Sequence, residues 1–198
     1  MTRLILASGS AARARLLTAA GIAFDVVAPH VDEDAVKDSL LTAKAPPRDI
    51  ADTLAALKAS KISLSHSGAL VIGADQALVF DGELISKSPD VPAARALLER
   101  LAGRKHELIG AVVLAKDGAV VWRHVARAEL TLRHFGETFL DGYLERNGEE
   151  ILSSVGGYLL EGEGVQLFSH IDGDYFTILG LPMLPLLNAL REFGALPA

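Results

Sequence analysis

The chain of 198 residues contains no cysteine, which excludes disulfides, thiolate nucleophiles and thiolate-bound metals and is compatible with a reducing compartment. It has no apolar stretch near the roughly 20 residues of a membrane span. The opening MTRLILASGSAARARLL offers too short an apolar run for a secretory leader and no cleavage pattern, so the chain reads as soluble and cytoplasmic. Positive charge is in deficit: 19 Lys and Arg against 25 Asp and Glu leave a net charge of −6, the opposite of a general nucleic-acid binder's footprint. A single nucleotide, which needs only a local cluster of cations, is left open as a ligand. There is no internal repeat, no low-complexity linker and no GxxxxGK[ST] phosphate loop.

What is present is ordinary for a globular protein, half of it hydrophobic and 22% charged, with length for one domain or two tightly joined lobes. The stretch LVIGADQALVFDGELISK at 70–87 holds the centre of the pattern. Leu70–Ala74 is expected to be a buried strand, and 77–80 and 83–85 a hairpin over Asp81-Gly82. Asp75 then falls at a strand end, with Gln76 after it and Lys87 returned beyond the hairpin. A desolvated carboxylate beside a lysine is equipped to hold a metal, take a proton or bind an anion. A turn-capping aspartate with a solvated lysine would produce the same letters, and this stretch alone does not choose.

Upstream, Leu4–Ala7 is expected as a strand, Ser8-Gly9-Ser10 as a loop, and 11–20 as a helix stopped by Gly21. A helix start behind such a loop presents N–H groups and a positive dipole end to an anion, although Ser10 is equally explained as an N-cap. Arg13 shares the face of Leu16 and Leu17, so it must snorkel or meet an anion; Arg15 points away. Residues 24–28 read as a second strand. The acids Asp32, Glu33 and Asp34 suit either a divalent cation or solvent, and His30 has no partner at ligand spacing. Residues 34–49 are expected to be a mobile connection. A helix from Pro47 to about Ser63 presents Ile50, Leu54, Leu57 and Leu64 on one face, with Lys58 at its margin and Lys61 near its centre. Periodicity therefore favours Lys61 as the unusual lysine.

Further along, a helix opens at Asp90 and Pro92 and stops at Gly103. A meander follows over 107–115, 119–123 and 125–133, then a helix over 137–146. SSVGGYLLEGEG at 153–164 has four glycines between structured flanks and reads as a shaped loop containing Glu161 and Glu163. A hairpin over Asp172-Gly173 pairing 165–171 with 175–179, and a helix from Pro182, complete the expectation.

Five motifs stand in one order: LASGSAARARLL (6–17), VDE (31–33), LAALKA (54–59), GADQALVFDGELISK (73–87) and GGYLLEGEGVQLFSHIDGDYFTILGLP (156–182). Together they resemble the Maf family of nucleoside triphosphate pyrophosphatases over residues 4–192. The resemblance implies an inosine-triphosphatase-like α/β fold: an elongated single domain, 1–198, with a mixed twisted sheet, flanking helices and two lobes around a central cleft. It implies cleavage between the α and β phosphates to give monophosphate and diphosphate with Mg²⁺ or Mn²⁺, and a homodimer. Position by position, Ser8 matches the family's loop serine, Arg13 the second arginine of its SPRR-like motif and Glu33 its acidic residue; the loop with Ser10 is expected to bind substrate, and Glu33 and Asp75 can hold the metal. Lys58 matches the family's helical lysine, in place of Lys61; Asp75 matches the proton acceptor and metal ligand, and Lys87 the lysine after the hairpin. The family's SPRR reads Ser10-Ala11-Ala12-Arg13, so the specificity arginine is Ala12 here. The other specificity positions hold Gln76 and Glu161, the pair of the 7-methyl-GTP branch rather than the Thr and Gln of the dTTP and UTP branch. A nucleotide-sensing regulator of septum formation is the non-enzymatic alternative.

Overall fold

The computed structural model describes residues 2–197. In chain order, strand β1 (Leu4–Ala7), helix α1 (Ala11–Ala19), strand β2 (Asp25–Val26) and helices α2 (Glu33–Thr42) and α3 (Pro47–Ser65) precede the long strand β3 (Leu70–Phe80). Then come β4 (Glu83–Ile85), α4 (Val91–Leu101), β5 (Lys105–Lys116), β6 (Ala119–Leu132) and α5 (Glu137–Asn147). Two short 3₁₀ turns (Gly148–Ser153 and Glu163–Leu167), β7 (Phe168–Asp172), α6 (Tyr175–Ile178) and α7 (Met183–Glu192) complete the chain. The sheet runs β2-β1-β3-β5-β6-β7, with β4 on β3. It is mixed: β1 is parallel to β2 and to β3, while β4 and β7 pair antiparallel with β3 and β6. Flanked by helices, it is the α/β architecture expected. No helix among the described residues is long and apolar enough to cross a membrane.

Contacts divide the chain into two compact units. One holds the residues up to Gln76, Ile109–Ala126 and those from Asp174; the other holds Ala77–Leu108 and Arg127–Gly173. The first unit's core joins β1 and β3 through Leu4, Leu6, Leu70 and Ile72 to Leu17 of α1 and Leu186 and Leu190 of α7. The buried face of α3 carries three alanines, Ala51, Ala55 and Ala59, among larger residues such as Ile50, Leu54 and Ile62. The reason is Gly73: a Cβ there would fall on the Ala55 carbonyl and lie 2.7 Å from the Ala59 nitrogen. Glycine and alanine let α3 and β3 approach more closely than ordinary side chains permit.

In the second unit, β5 buries His106, whose Nε2 lies 2.7 Å from the Tyr158 hydroxyl. Tyr158 packs edge-on against Phe168 with ring centroids 4.9 Å apart. The glycine-rich segment is a shaped loop, as expected. A Cβ at Gly164 would collide with the Leu159 backbone, so no other residue fits that turn.

Several expectations are corrected. Residues 34–49 are not an irregular connection: α2 fills Glu33–Thr42, with Asp32 as its cap accepting from the Ala35 amide at 3.1 Å, and α3 begins at Pro47. Asp75 does not end a strand: 70–74 and 77–80 are one strand running through it. The two later meander strands are likewise one, β6, and the second strand shrinks to Asp25–Val26. The hairpin over Asp172-Gly173 is absent, since Asp174 caps the turn α6 through the amide and hydroxyl of Thr177. Finally, Leu57 and Leu64 are exposed on α3 and Lys61 lies outward, whereas Lys58 is buried. Of the four residues read as one face, Ile50 and Leu54 are buried, but Leu57 and Leu64 fall outside the inner stripe, which Ala51, Ala55, Lys58, Ala59 and Ile62 complete.

Candidate active site

Strand β1 ends at Ala7, opposite Gly73 of β3. Pairing of β3 with β4 begins at Leu78. Asp75 and Gln76 lie in the interval between these pairings, half-buried within a strand whose neighbours are buried. Beyond the carboxyl end of a parallel strand is where open α/β sheets commonly take ligands. The Ser8–Ser10 loop leaves β1 at that point.

Lys58 organises the acids. Its Nζ is 2.7 Å from Asp75 Oδ1 and 2.6 Å from Glu33 Oε2. An ammonium only 6% exposed at its side chain is tolerated because two carboxylates surround it. Three residues distant in sequence thus meet at one atom, the nitrogen of Lys58. Glu33 comes from the first position of α2, where its negative charge also faces the helix N-terminus.

Ser10 caps α1, accepting from the Arg13 amide at 3.4 Å. The buried Ser8 hydroxyl accepts from the Ser10 amide and from Arg13 Nη1, both at 3.2 Å. With both lone pairs engaged, what it has to offer a ligand is its O–H. Arg13 neither snorkels nor waits empty: Nε donates to the Gly180 carbonyl and Nη1 to that of Ala74, each at 2.9 Å. Burial lowers its pKa, and the charges of Asp75 and Glu33 oppose that shift. An arginine stays protonated regardless, so it brings fixed positive charge while tying α1 to β3 and to the turn after α6.

Gln76 donates both amide hydrogens, to the carbonyls of Thr177 and Ile178 at 3.0 Å each. Two carbonyls accept only from nitrogen, so this network also orients the amide and leaves Oε1 as the atom it can present. The carbonyls of Ala74, Thr177, Ile178 and Gly180 are parts of the site that sequence reasoning missed. The one available signal was Gly180 in the motif GLP, where φ is +95° and glycine is favoured.

Ala12 is on α1 beside Arg13. Lys87 and Glu161 belong to the second unit, both exposed, Lys87 just past β4 and Glu161 in the glycine-rich loop. Glu163 is not a free loop acid: Arg146 Nε donates to it at 2.9 and 3.1 Å.

Two carboxylates within a hydrogen bond of one atom are hard oxygen donors of the kind that hold Mg²⁺ or Mn²⁺ through one or two protein ligands, with phosphates and water supplying the rest. No cluster of three or more His, Cys, Asp or Glu suited to a metal occurs among the described residues. Glu33 and Asp75 are the oxygen donors present for such a cation.

A serine loop and an acid-lysine-acid triad thus lie together on a mixed α/β sheet. The chain belongs to the Maf family: the model for Maf-like protein matches residues 3–193. It is 54% identical to a nucleoside triphosphate pyrophosphatase of Caulobacter vibrioides, over 99% of this chain and 98% of that one. The protein of the same name from Ruegeria pomeroyi is 51% identical over 98% and 97%. A 7-methyl-GTP pyrophosphatase of Rhizobium meliloti is 49% identical over 98% of each. A solved dITP/XTP pyrophosphatase from Mycobacterium abscessus aligns at 15% identity over 99% and 98% of the two chains, with a TM-score of 0.41.

Proposed function

We propose that this protein hydrolyses nucleoside triphosphates between the α and β phosphates, with 7-methyl-GTP as its preferred substrate. As a Maf-family protein it is a nucleoside triphosphate pyrophosphatase; the bond, the base and the residue roles are the finer reading. The observation that carries it is the Lys58 ammonium held between Glu33 and Asp75 beside the Ser8–Ser10 loop. Splitting an anhydride in line requires charge neutralisation on the departing diphosphate and a placed water. Asp75 spends Oδ1 on Lys58; its other oxygen is assigned to the attacking water, orienting it and taking its proton. Lys58 holds the two acids in register, and Arg13, fixed by carbonyls, adds positive charge. Ser8 contributes its O–H and Ser10 the capped helix start, both toward phosphate. Lys87 is assigned to the leaving diphosphate by its matched position. Glu33 and Asp75 would hold the divalent cation, which when bound supplies charge neutralisation on the phosphates.

For the base, guanine presents N1–H and an amine together, two donors that a carboxylate accepts at once, whereas uracil and thymine offer one donor between two carbonyls. Glu161 suits the former, and N7 methylation adds positive charge that an acid favours. Gln76, reduced to its Oε1 acceptor, suits the same edge, and Ala12 leaves room where a specificity arginine would stand. Because Glu161 is exposed, its discrimination is that of a charged hydrogen bond, roughly 10–100-fold, not that of a buried unpaired group.

Pyrophosphate release from 7-methyl-GTP, GTP, dTTP and UTP with Mg²⁺ or Mn²⁺ tests the reading. The highest kcat/KM is expected on 7-methyl-GTP. Preference for dTTP or UTP would assign the protein to the other branch, and tight binding without turnover would make it a sensor. Glu161→Gln is expected to lower the ratio of kcat/KM for 7-methyl-GTP over UTP by about 10–100-fold. An unchanged ratio would remove Glu161 from base recognition.

A further inference from the structure

Helix α2 carries Glu33 at its first position, yet none of its residues is buried. A groove of about 480 Å³ runs between it and α3, lined by Val31, Val36, Leu40 and Leu57. A helix so weakly packed has little apolar burial to fix where its N-terminus points. Two lysines of α3, one turn apart, supply what packing does not. Lys58 holds the Glu33 side chain. Lys61 Nζ donates to the His30 carbonyl at 2.5 Å, three residues before Glu33. His30 there has φ of +43°, a left-handed conformation uncommon for a residue with a Cβ. Asp32 then caps α2.

We propose that Lys61 is a positioning residue: its grip on the His30 carbonyl holds the entry to α2 in the one conformation that delivers Glu33 to Lys58 and Asp75. This rests on the reading of Glu33 as an active-site acid. Lys61 Nζ is engaged by the His30 carbonyl, so it acts through the backbone it holds. The leucine pattern of α3 singled it out for the wrong face, but the position is functional for another reason: it lies one helical turn from Lys58.

The test compares Lys61→Met, which keeps the apolar stem, with Lys61→Arg, which keeps the donor. Amide hydrogen exchange on the nucleotide-free protein should rise at residues 31–36 in Lys61→Met and stay at the wild-type level in Lys61→Arg. In the same variants, the Mg²⁺ concentration giving half-maximal pyrophosphate release should rise roughly 10-fold in Lys61→Met, a modest misplacement of a ligand, and recover in Lys61→Arg. Unchanged exchange in Lys61→Met overturns the proposal. Raised exchange with an unchanged Mg²⁺ requirement also overturns it, since the grip would then not serve Glu33. Absence of turnover by the wild type on every nucleotide would defeat the pyrophosphatase reading separately, because the exchange comparison needs no catalysis.

Discussion

Asp75→Asn is expected to lower kcat/KM for pyrophosphate release by about 10³-fold or more, with the protein still folded. Asparagine keeps the shape of the side chain but cannot accept a proton from water, and general-base assistance is commonly worth about 10²–10⁴-fold. The substitution also removes one of the two anions around the buried Lys58 ammonium, leaving it to Glu33 alone. Both effects act on the same step, so the loss should fall on kcat more than on KM. The side chain is 14% exposed and β3 is paired on both sides of it, so the strand itself does not depend on its charge. Thermal unfolding and circular dichroism check the fold while a coupled pyrophosphate assay measures the rate. A folded, pure variant within about 10-fold of wild type would contradict the assignment of the base.

Acid should destabilise the second unit through His106. Burial holds its pKa down at about 4, against an ordinary 6.5. The ring is 2% exposed, Nε2 is engaged with Tyr158, and Nδ1 is buried without a partner. A second ring proton would therefore have no acceptor. The folded state keeps the imidazole neutral where the unfolded chain already binds a proton. The stabilisation is fully present above pH 6.5, declines as the pH falls below it, and is gone below about 4. The gap corresponds to about 3 kcal/mol. His106→Gln retains a group able to hydrogen-bond Tyr158 and lacks the titration. Urea unfolding at pH 7 and pH 4 should give a difference in stability smaller in the variant by about that amount, on top of the carboxylate titrations both proteins share. Equal acid sensitivity in the two proteins would exclude His106 as the cause. Tyr158 precedes Glu161 by three residues, so the same titration bears on the loop assigned to base recognition.

Much of this protein is legible in its sequence. The absence of cysteine excluded thiolate chemistry outright, and the run Leu4–Ala7 with Ser8-Gly9-Ser10 behind it identified strand, loop and capped helix, because those signals are local. The apolar runs and the Asp81-Gly82 turn of the central stretch located both arms of the hairpin, and five ordered motifs carried the family. Other features were decided only by packing. Whether Lys58 or Lys61 faces the site depends on which stripe of α3 is inward. That stripe is chosen by the need to seat Gly73 against Ala55 and Ala59, a contact between elements that leucine periodicity does not record. Residues 175–179 have the composition of a strand, yet one carboxylate, Asp174, caps them into a turn whose carbonyls bind Gln76 and Arg13. Glu33, Lys58 and Asp75 meet at a single nitrogen because a parallel sheet places the end of β1 opposite β3 and α3 lies across Gly73. Sequence determines local conformation where a few neighbouring residues suffice; the convergence of distant charges is determined by close packing, which is a property of the folded chain as a whole.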